Sequence, residues 1–293
     1  MRKHVFAVLG AGSLWGTMGF FSRSLGAIGI SPAGAILVRC AIAAVFFALT
    51  IALTDPKAFR VAPKDFWCFF GSGICALLFF TYCYFNAIAL MSLSAAAILL
   101  YTAPVVVVLL SIPLFGERLS ARKGAALALA FLGCCLVSGI GGELALPLKG
   151  LLFGLGAGFG YALYSVFARL ALDRGYGSNT VNLYSCLLAA LGAGLLWGFS
   201  APLSAMTASA PNALLCLLAG LVTCYLPYLL YTYGLTGLET GRASILASVE
   251  PVVATLLGVV LYREALSLAA VLGIGCVLAA VVLLNGKTKK TEM

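Results

Sequence analysis

Charge is scarce in this sequence. Lys, Arg, Asp and Glu make up 9% of the 293 residues, against about 25% in an ordinary soluble domain. Histidine occurs once, at His4. No C-x-x-C pair is present, so neither a zinc ribbon nor a thioredoxin-like redox motif is available. A phosphate-gripping loop is missing too. Gly154-Leu-Gly-Ala-Gly158 has no preceding strand and no following lysine. These absences exclude a cytosolic enzyme, a nucleic-acid-binding module, a disordered chain and an ATP-driven pump, and they imply no cofactor and no metal site.

What fills the space instead is apolar. Hydrophobic residues make up 63% of the chain, and the mean hydropathy is +1.11. A soluble fold of this size cannot hide so much apolar surface, so the solvent is lipid. The ten cysteines all lie in apolar runs and read as small buried hydrophobes.

A spanning helix needs roughly 20 mostly apolar residues. Cutting the chain at charges and turn residues gives ten: Val5–Leu25, Pro32–Leu53, Phe66–Leu90, Ala95–Phe115, Ala121–Ile140, Gly150–Leu172, Val181–Phe199, Ala213–Leu235, Ala243–Tyr262 and Leu268–Asn285. The expected fold class is therefore an all-α membrane protein. The first run follows Arg2 and Lys3 as a signal peptide would. It is read as a span, because a counterpart occurs later in the chain. With ten spans both termini share a side. Fourteen Lys and Arg residues fall on that side; only Arg23, Lys149 and Arg263 fall on the other. By the positive-inside rule both termini are cytoplasmic, in the cell membrane.

The chain is a tandem duplication. Residues 96–120 lie over 243–267 with no gap, and twelve of those 25 positions are identical, including Pro104/Pro251, Glu117/Glu264 and Ser120/Ser267. The same shift pairs Gly73 with Gly220 and Tyr84 with Tyr231; a shift one shorter pairs Arg23 with Arg169 and Trp15 with Tyr161. The two copies occupy residues 1–142 and 147–293. Five spans per copy force the second to enter from the opposite side, giving two inverted-topology five-helix repeats. Two similar halves of opposite sense can exchange conformations, which is alternating access.

Phe115-Gly-Glu-Arg-Leu-Ser120 and Tyr262-Arg-Glu-Ala-Leu-Ser267, with Glu250-Pro251 and the paired five-span halves, resemble the EamA-type branch of the drug/metabolite transporter superfamily. The second copy departs from the pattern, with Arg263 where Gly116 stands and Ala265 where Arg118 stands. The resemblance implies secondary transport, commonly export, through a cavity between the halves, and no enzymatic activity.

Within the spans, two charges stand out. Glu250 lies eight residues past Arg242, so about 12 Å into the membrane. Its counterpart in the first copy is Ala103, so the repeat symmetry is broken by a charge. A carboxylate removed from water is a natural carrier of a proton or partner for a cation. Arg39 lies eight residues after Ser31, about 12 Å from the other face. In a hydrocarbon core roughly 30 Å thick the two are about 6 Å apart along the membrane normal. They suit a charge pair, or a zwitterion such as an amino acid held between them. Proton coupling through Glu250 follows naturally.

Aromatic and amide side chains near span centres complete the expected site: Trp15, Tyr82, Asn86, Tyr101, Tyr161 and Tyr228. Rings beside Glu250 also suit an amine or quaternary ammonium through cation–π contacts. Pro104 and Pro251 each remove a backbone donor, and as equivalent positions they are candidate hinges. The expected partners are thus a small-molecule substrate, the lipid bilayer and protons, with a homodimer compatible and no nucleic acid. A reading of another class stays open: a membrane enzyme, which needs clustered polar residues at one interface where His4 alone is a poor start, or a lipid-handling scaffold, which does not need the inverted repeat, Glu250 or Arg39.

Overall fold

A computed structural model describes residues 2–91, 93–138, 147–263 and 267–285. Among the described residues the chain is helical throughout, without strands. The spans are α1 (Arg2–Ala27), α2 (Pro32–Thr54), α3 (Pro63–Leu90), α4 (Ala95–Phe115), α5 (Ala121–Val137), α6 (Leu148–Asp173), α7 (Ser178–Trp197), α8 (Ala210–Leu235), α9 (Thr240–Tyr262) and α10 (Leu268–Asn285). Eight are long and apolar enough to cross a bilayer outright; α5 and α10 are shorter, and at 1.5 Å per residue a helix of 17 residues reaches about 26 Å. The expected tail of α5 at Ile140, and Glu264 with its neighbour Ala265, lie outside the described residues. A short helix, Ser200–Thr207, joins α7 to α8 where the sequence suggested only a connection.

Packing follows the duplication. Equivalent spans lie on one another, α2 against α7 and α5 against α10. The pairing of α3 with α6 recurs as α8 with α1, and α4 with α6 recurs as α9 with α1. The equivalent spans run antiparallel. At one end of the α2–α7 pair Gly34 meets Pro202 of the connecting helix, and at the other Thr54 and Thr180 line one cleft. Along α5 and α10, Arg122 Nε donates to the Leu283 carbonyl while Gly133 faces Gly273. The halves are thus inverted copies.

Departures from straight helix are also duplicated. In α4 the helix stops at Leu100 and restarts at Ala103; in α9 it stops at Ala247 and restarts at Glu250. Each restart places a proline second, Pro104 or Pro251. Proline has no N–H for the carbonyl four residues earlier, and its ring disfavours helical geometry in the residue before it. The result is a two-residue break. Spans α3 and α8 carry π-helical turns, Gly71–Leu78 and Leu221–Tyr225, which overlap under the repeat shift. Such bulges often mark functional segments. Span α1 breaks at Thr17, whose hydroxyl donates to the Leu14 carbonyl at 2.7 Å, whereas α6 is continuous.

Glycine lets the inner spans touch these breaks. A Cβ on Gly12 of α1 would lie 2.8 Å from the Ala247 carbonyl oxygen; one on Gly158 of α6 would lie 2.7 Å from that of Leu99. Both distances are too short for a real side chain, so only glycine allows α1 and α6 to press on the broken strands of helix. Residues 12 and 158 are equivalent under the shorter repeat shift. The main buried cluster draws chiefly on α1, α2, α7 and α8, and the two broken spans α4 and α9 pack on α1 and α6 beside it.

Candidate functional site

Glu250 opens the second half of α9, so its carboxylate sits at a helix N-terminus inside the membrane, where the helix dipole favours negative charge. The Tyr161 hydroxyl of α6 donates to Glu250 Oε2 at 3.0 Å. Two adjoining cavities share Trp15, Tyr161, Tyr228 and Glu250 in their walls. One, a cavity of about 20 Å³, adds Tyr101, Pro104, Tyr164 and Tyr231. The other, of about 60 Å³, adds Arg39, Cys40, Phe80 and Cys224. Both are narrow clefts between rings.

The rings lean on each other. Trp15 meets Tyr161 edge-on at 6.3 Å between centroids, Tyr228 at 5.3 Å and Tyr231 at 5.3 Å; Tyr164 meets Tyr228 at 4.7 Å. A polar network fixes the outer layer. Tyr164 donates to Asn182 Oδ1 at 2.6 Å, Asn182 Nδ2 donates to Thr232 Oγ1 at 2.9 Å, and Ser165 shares a 2.7 Å hydrogen bond with the Tyr231 hydroxyl. Each buried hydroxyl thereby escapes the cost of being unpaired in an apolar interior.

Arg39 faces the second cavity, but its guanidinium is turned to α8. Nε donates to Thr223 Oγ1 at 2.6 Å and a terminal nitrogen to the Thr223 carbonyl at 3.0 Å. That carbonyl lies within the π-helical turn, where backbone acceptors lose their usual partners. No Arg39–Glu250 ion pair forms among the described residues. The expected charge pair is replaced by two anchors beside one cleft.

The structure thus gathers Trp15, Arg39, Tyr101, Tyr161, Tyr228 and Glu250 around the two cavities, with Pro104 in one wall. Pro251 is buried behind Glu250. Tyr82 and Asn86 stand apart. Tyr82 is 46% exposed and packs on Phe153, 6.1 Å between centroids, and Asn86 Nδ2 donates to the Tyr82 carbonyl in its own helix. Helical spacing alone placed them on the face that their counterparts use in α8, whereas Phe80 takes the inward position.

A second constellation closes the face that carries the N-terminus. Lys123 Nζ donates to Glu117 Oε2 at 2.5 Å and to Glu239 Oε2 at 3.1 Å. Glu117 also caps the start of α9, accepting from Thr240 N–H at 2.5 Å and Gly241 N–H at 3.2 Å. The α4–α5 turn of one half is thereby tied to the α8–α9 turn of the other. Nearby, Arg169 donates to the Leu235 and Leu238 carbonyls and pairs with Asp173. Tyr176 donates to Asp65 Oδ2 at 2.8 Å, and Arg174 Nε lies 3.3 Å from Asp65 Oδ1; the shielding and the acidic partner raise the phenol above its usual range. Glu117 is visible in the sequence as a repeated residue. Its partners are not, because Lys123, in the first turn of α5, meets Glu239, at the start of α9, only in the fold. Ser120 and Ser267 cap α5 and α10, as their position just before each helix suggests.

Known proteins complete the picture. The model of the EamA-like transporter family matches residues 2–139 and 148–286. An uncharacterized transporter of Archaeoglobus fulgidus is 32% identical over 200 residues, 68% of this chain and 70% of the relative. The uncharacterized transporter YwfM of Bacillus subtilis is 29% identical over 168 residues, 57% of this chain and 55% of its own length. A protein solved by crystallography superposes with a TM-score of 0.82 over 97% of both chains at 20% identity, which shows the fold. With two family matches, one per half, and a fold of inverted five-helix repeats, the chain belongs to the EamA-like transporter family, within the drug/metabolite transporter superfamily.

Proposed function

We propose that this protein is a secondary active transporter that moves a small amine-bearing metabolite across the cytoplasmic membrane by alternating access, coupled to protons through Glu250. One observation carries the reading: a single carboxylate stands at a helix break inside the membrane, hydrogen-bonded by Tyr161 and walled by rings. A proton and an ammonium group are alternative partners for that carboxylate, and competition between them is the simplest coupling device. Paired breaks in α4 and α9 support the alternation, since each half can rock about Pro104 or Pro251. The charge asymmetry of the connections supports an orientation with both termini in the cytoplasm, and export is the direction that the family resemblance favours.

Within this reading an amino acid is the leading substrate, its ammonium at Glu250 and its carboxylate at the donors of Arg39 not used by Thr223. The two hydrogen bonds from Arg39 to Thr223 favour a second reading, an amine or quaternary ammonium held by Glu250 and the rings alone. Proteoliposomes with an imposed proton gradient separate the two. Gradient-driven accumulation of amino acids that fails for simple amines supports the first, and the reverse supports the second. Absence of gradient-driven movement for both classes, with protein shown to be inserted and folded, overturns the proposal.

A further inference from the structure

Three cysteines that the sequence scatters over 184 positions converge in the fold. Cys40 of α2, Cys186 of α7 and Cys224 of α8 place their sulfur atoms within 4.8 Å of one another. All three are buried, and Cys186 Sγ and Cys224 Sγ are 3.9 Å apart, too far for a disulfide. We propose that this trio is a binding site for a soft, thiophilic divalent metal ion.

The geometry fits the ligand set. A trigonal ion bonded to three sulfurs at about 2.3 Å holds those sulfurs about 4.0 Å apart. The Cys186–Cys224 pair already has that spacing, and the third sulfur needs only a small side-chain rotation. Thiolate ligands select soft ions over magnesium or calcium. Charge fits as well. Three thiolates and a divalent ion leave one negative charge, and Arg39, the chain neighbour of Cys40, supplies one positive charge. Its anchor Thr223 is the chain neighbour of Cys224, so the same hydrogen bonds that fix the guanidinium hold α2 and α8 in register beside the sulfurs.

Cys40 and Cys224 lie in the wall of the cavity lined by Arg39 and Glu250, the side from which an ion would approach. As each S–metal bond forms, the S–H proton leaves to water, so loading releases protons. The ion would tie a span of the first half to two spans of the second. No copy of the site exists in the other half: the counterpart of Cys224 is Leu77. The sulfurs adjoin the cavity that the transport reading uses, but Glu250 is not among the ligands.

The test uses full-length protein in detergent or nanodiscs, with cadmium ion alone as the probe. The expected result is one equivalent bound, with an ultraviolet thiolate-to-cadmium charge-transfer band, three sulfur neighbours by X-ray absorption and a raised melting temperature. Cys40→Ala, Cys186→Ala and Cys224→Ala should each weaken binding by roughly tenfold or more. Cys68→Ala and Cys216→Ala, buried elsewhere, should leave it unchanged. Size-exclusion profiles identify variants that fail to fold, and the absorption measurement on the unmodified protein does not depend on them. Lack of stoichiometric binding, a coordination sphere without three sulfurs, or binding that survives loss of all three thiols overturns the proposal.

Discussion

Trp15 and Tyr161 occupy equivalent positions in the two halves, and they meet edge-on, 6.3 Å between ring centroids, beside Glu250. Equivalent residues can touch only near the axis that relates inverted copies. The pair therefore marks the centre of the molecule. Substituents around it are matched in shape but not in charge: Glu250 stands on one side where Ala103 stands on the other.

Replacing that carboxylate should separate coupling from movement. Glu250→Gln keeps an acceptor for the Tyr161 hydroxyl but carries no charge at any pH. We expect loss of accumulation driven by a proton gradient, with exchange of substrate across the membrane retained at equal pH. Uptake into proteoliposomes with and without the gradient checks both arms, and gradient-driven uptake at the original rate would remove Glu250 from the coupling step.

Thr223→Val should destabilise the fold. It leaves Arg39 Nε without its acceptor inside the membrane, and an unmet buried donor costs about 1–3 kcal/mol, more when it is charged. The melting temperature in detergent should fall, and Thr223→Ser, which restores the hydroxyl, should recover most of the loss. Equal stability of the valine and threonine proteins would show that the guanidinium finds another partner.

The Glu117–Lys123–Glu239 cluster offers a contrast of buried against exposed charge. The Lys123 and Glu117 side chains are each 6% exposed, whereas that of Glu239 is 55% exposed. Removing one member of a buried pair costs about 3–5 kcal/mol; removing an exposed partner costs about 0–1 kcal/mol. Lys123→Met should therefore be far more damaging than Glu239→Gln in thermal or denaturant unfolding. Lys123→Met should also loosen the face that carries the N-terminus. A cysteine placed at Thr240 should then react faster with a water-soluble maleimide.

Gly12→Val and Gly158→Val should both block function, since each Cβ would strike a carbonyl at the break it faces. Gly26 has open space around its missing side chain, so Gly26→Ala should be close to neutral. Transport assays on all three, with membrane insertion checked by expression level, decide the matter.

Arg263 holds a left-handed backbone, φ 56°, at the position where the first half has Gly116 with φ 65°. The turn is retained although the glycine is lost. Non-glycine residues give up roughly 1–2 kcal/mol in this region, so Arg263→Gly should raise stability by about 1 kcal/mol. An unchanged or lower melting temperature would show that the arginine side chain compensates.

Much of the architecture was legible in the sequence because membrane spans and repeats are written in runs of residues. Length, apolar content and the in-register match of Pro104 with Pro251 were enough for ten spans in two opposed halves. Glu250, Arg39, Trp15, Tyr101, Tyr161 and Tyr228 could be chosen because charge and aromatic hydroxyls are expensive in lipid. Contacts between distant spans were not legible. Tyr82 and Phe80 differ by two positions, and only packing decides which one turns inward. The Thr223 anchor, the Lys123 cluster and the three converging thiols each join elements whose proximity no local pattern encodes.

The single acid among paired breaks has a thermodynamic consequence. In the alternating-access cycle proposed above, chemically identical halves would make the inward- and outward-facing states equivalent by a two-fold rotation and equal in energy, each occupied half the time. A carboxylate in only one break removes that equality, so the empty protein is expected to favour one facing state. Apparent substrate affinities measured from the two sides should accordingly differ, and acidifying one compartment should change that difference.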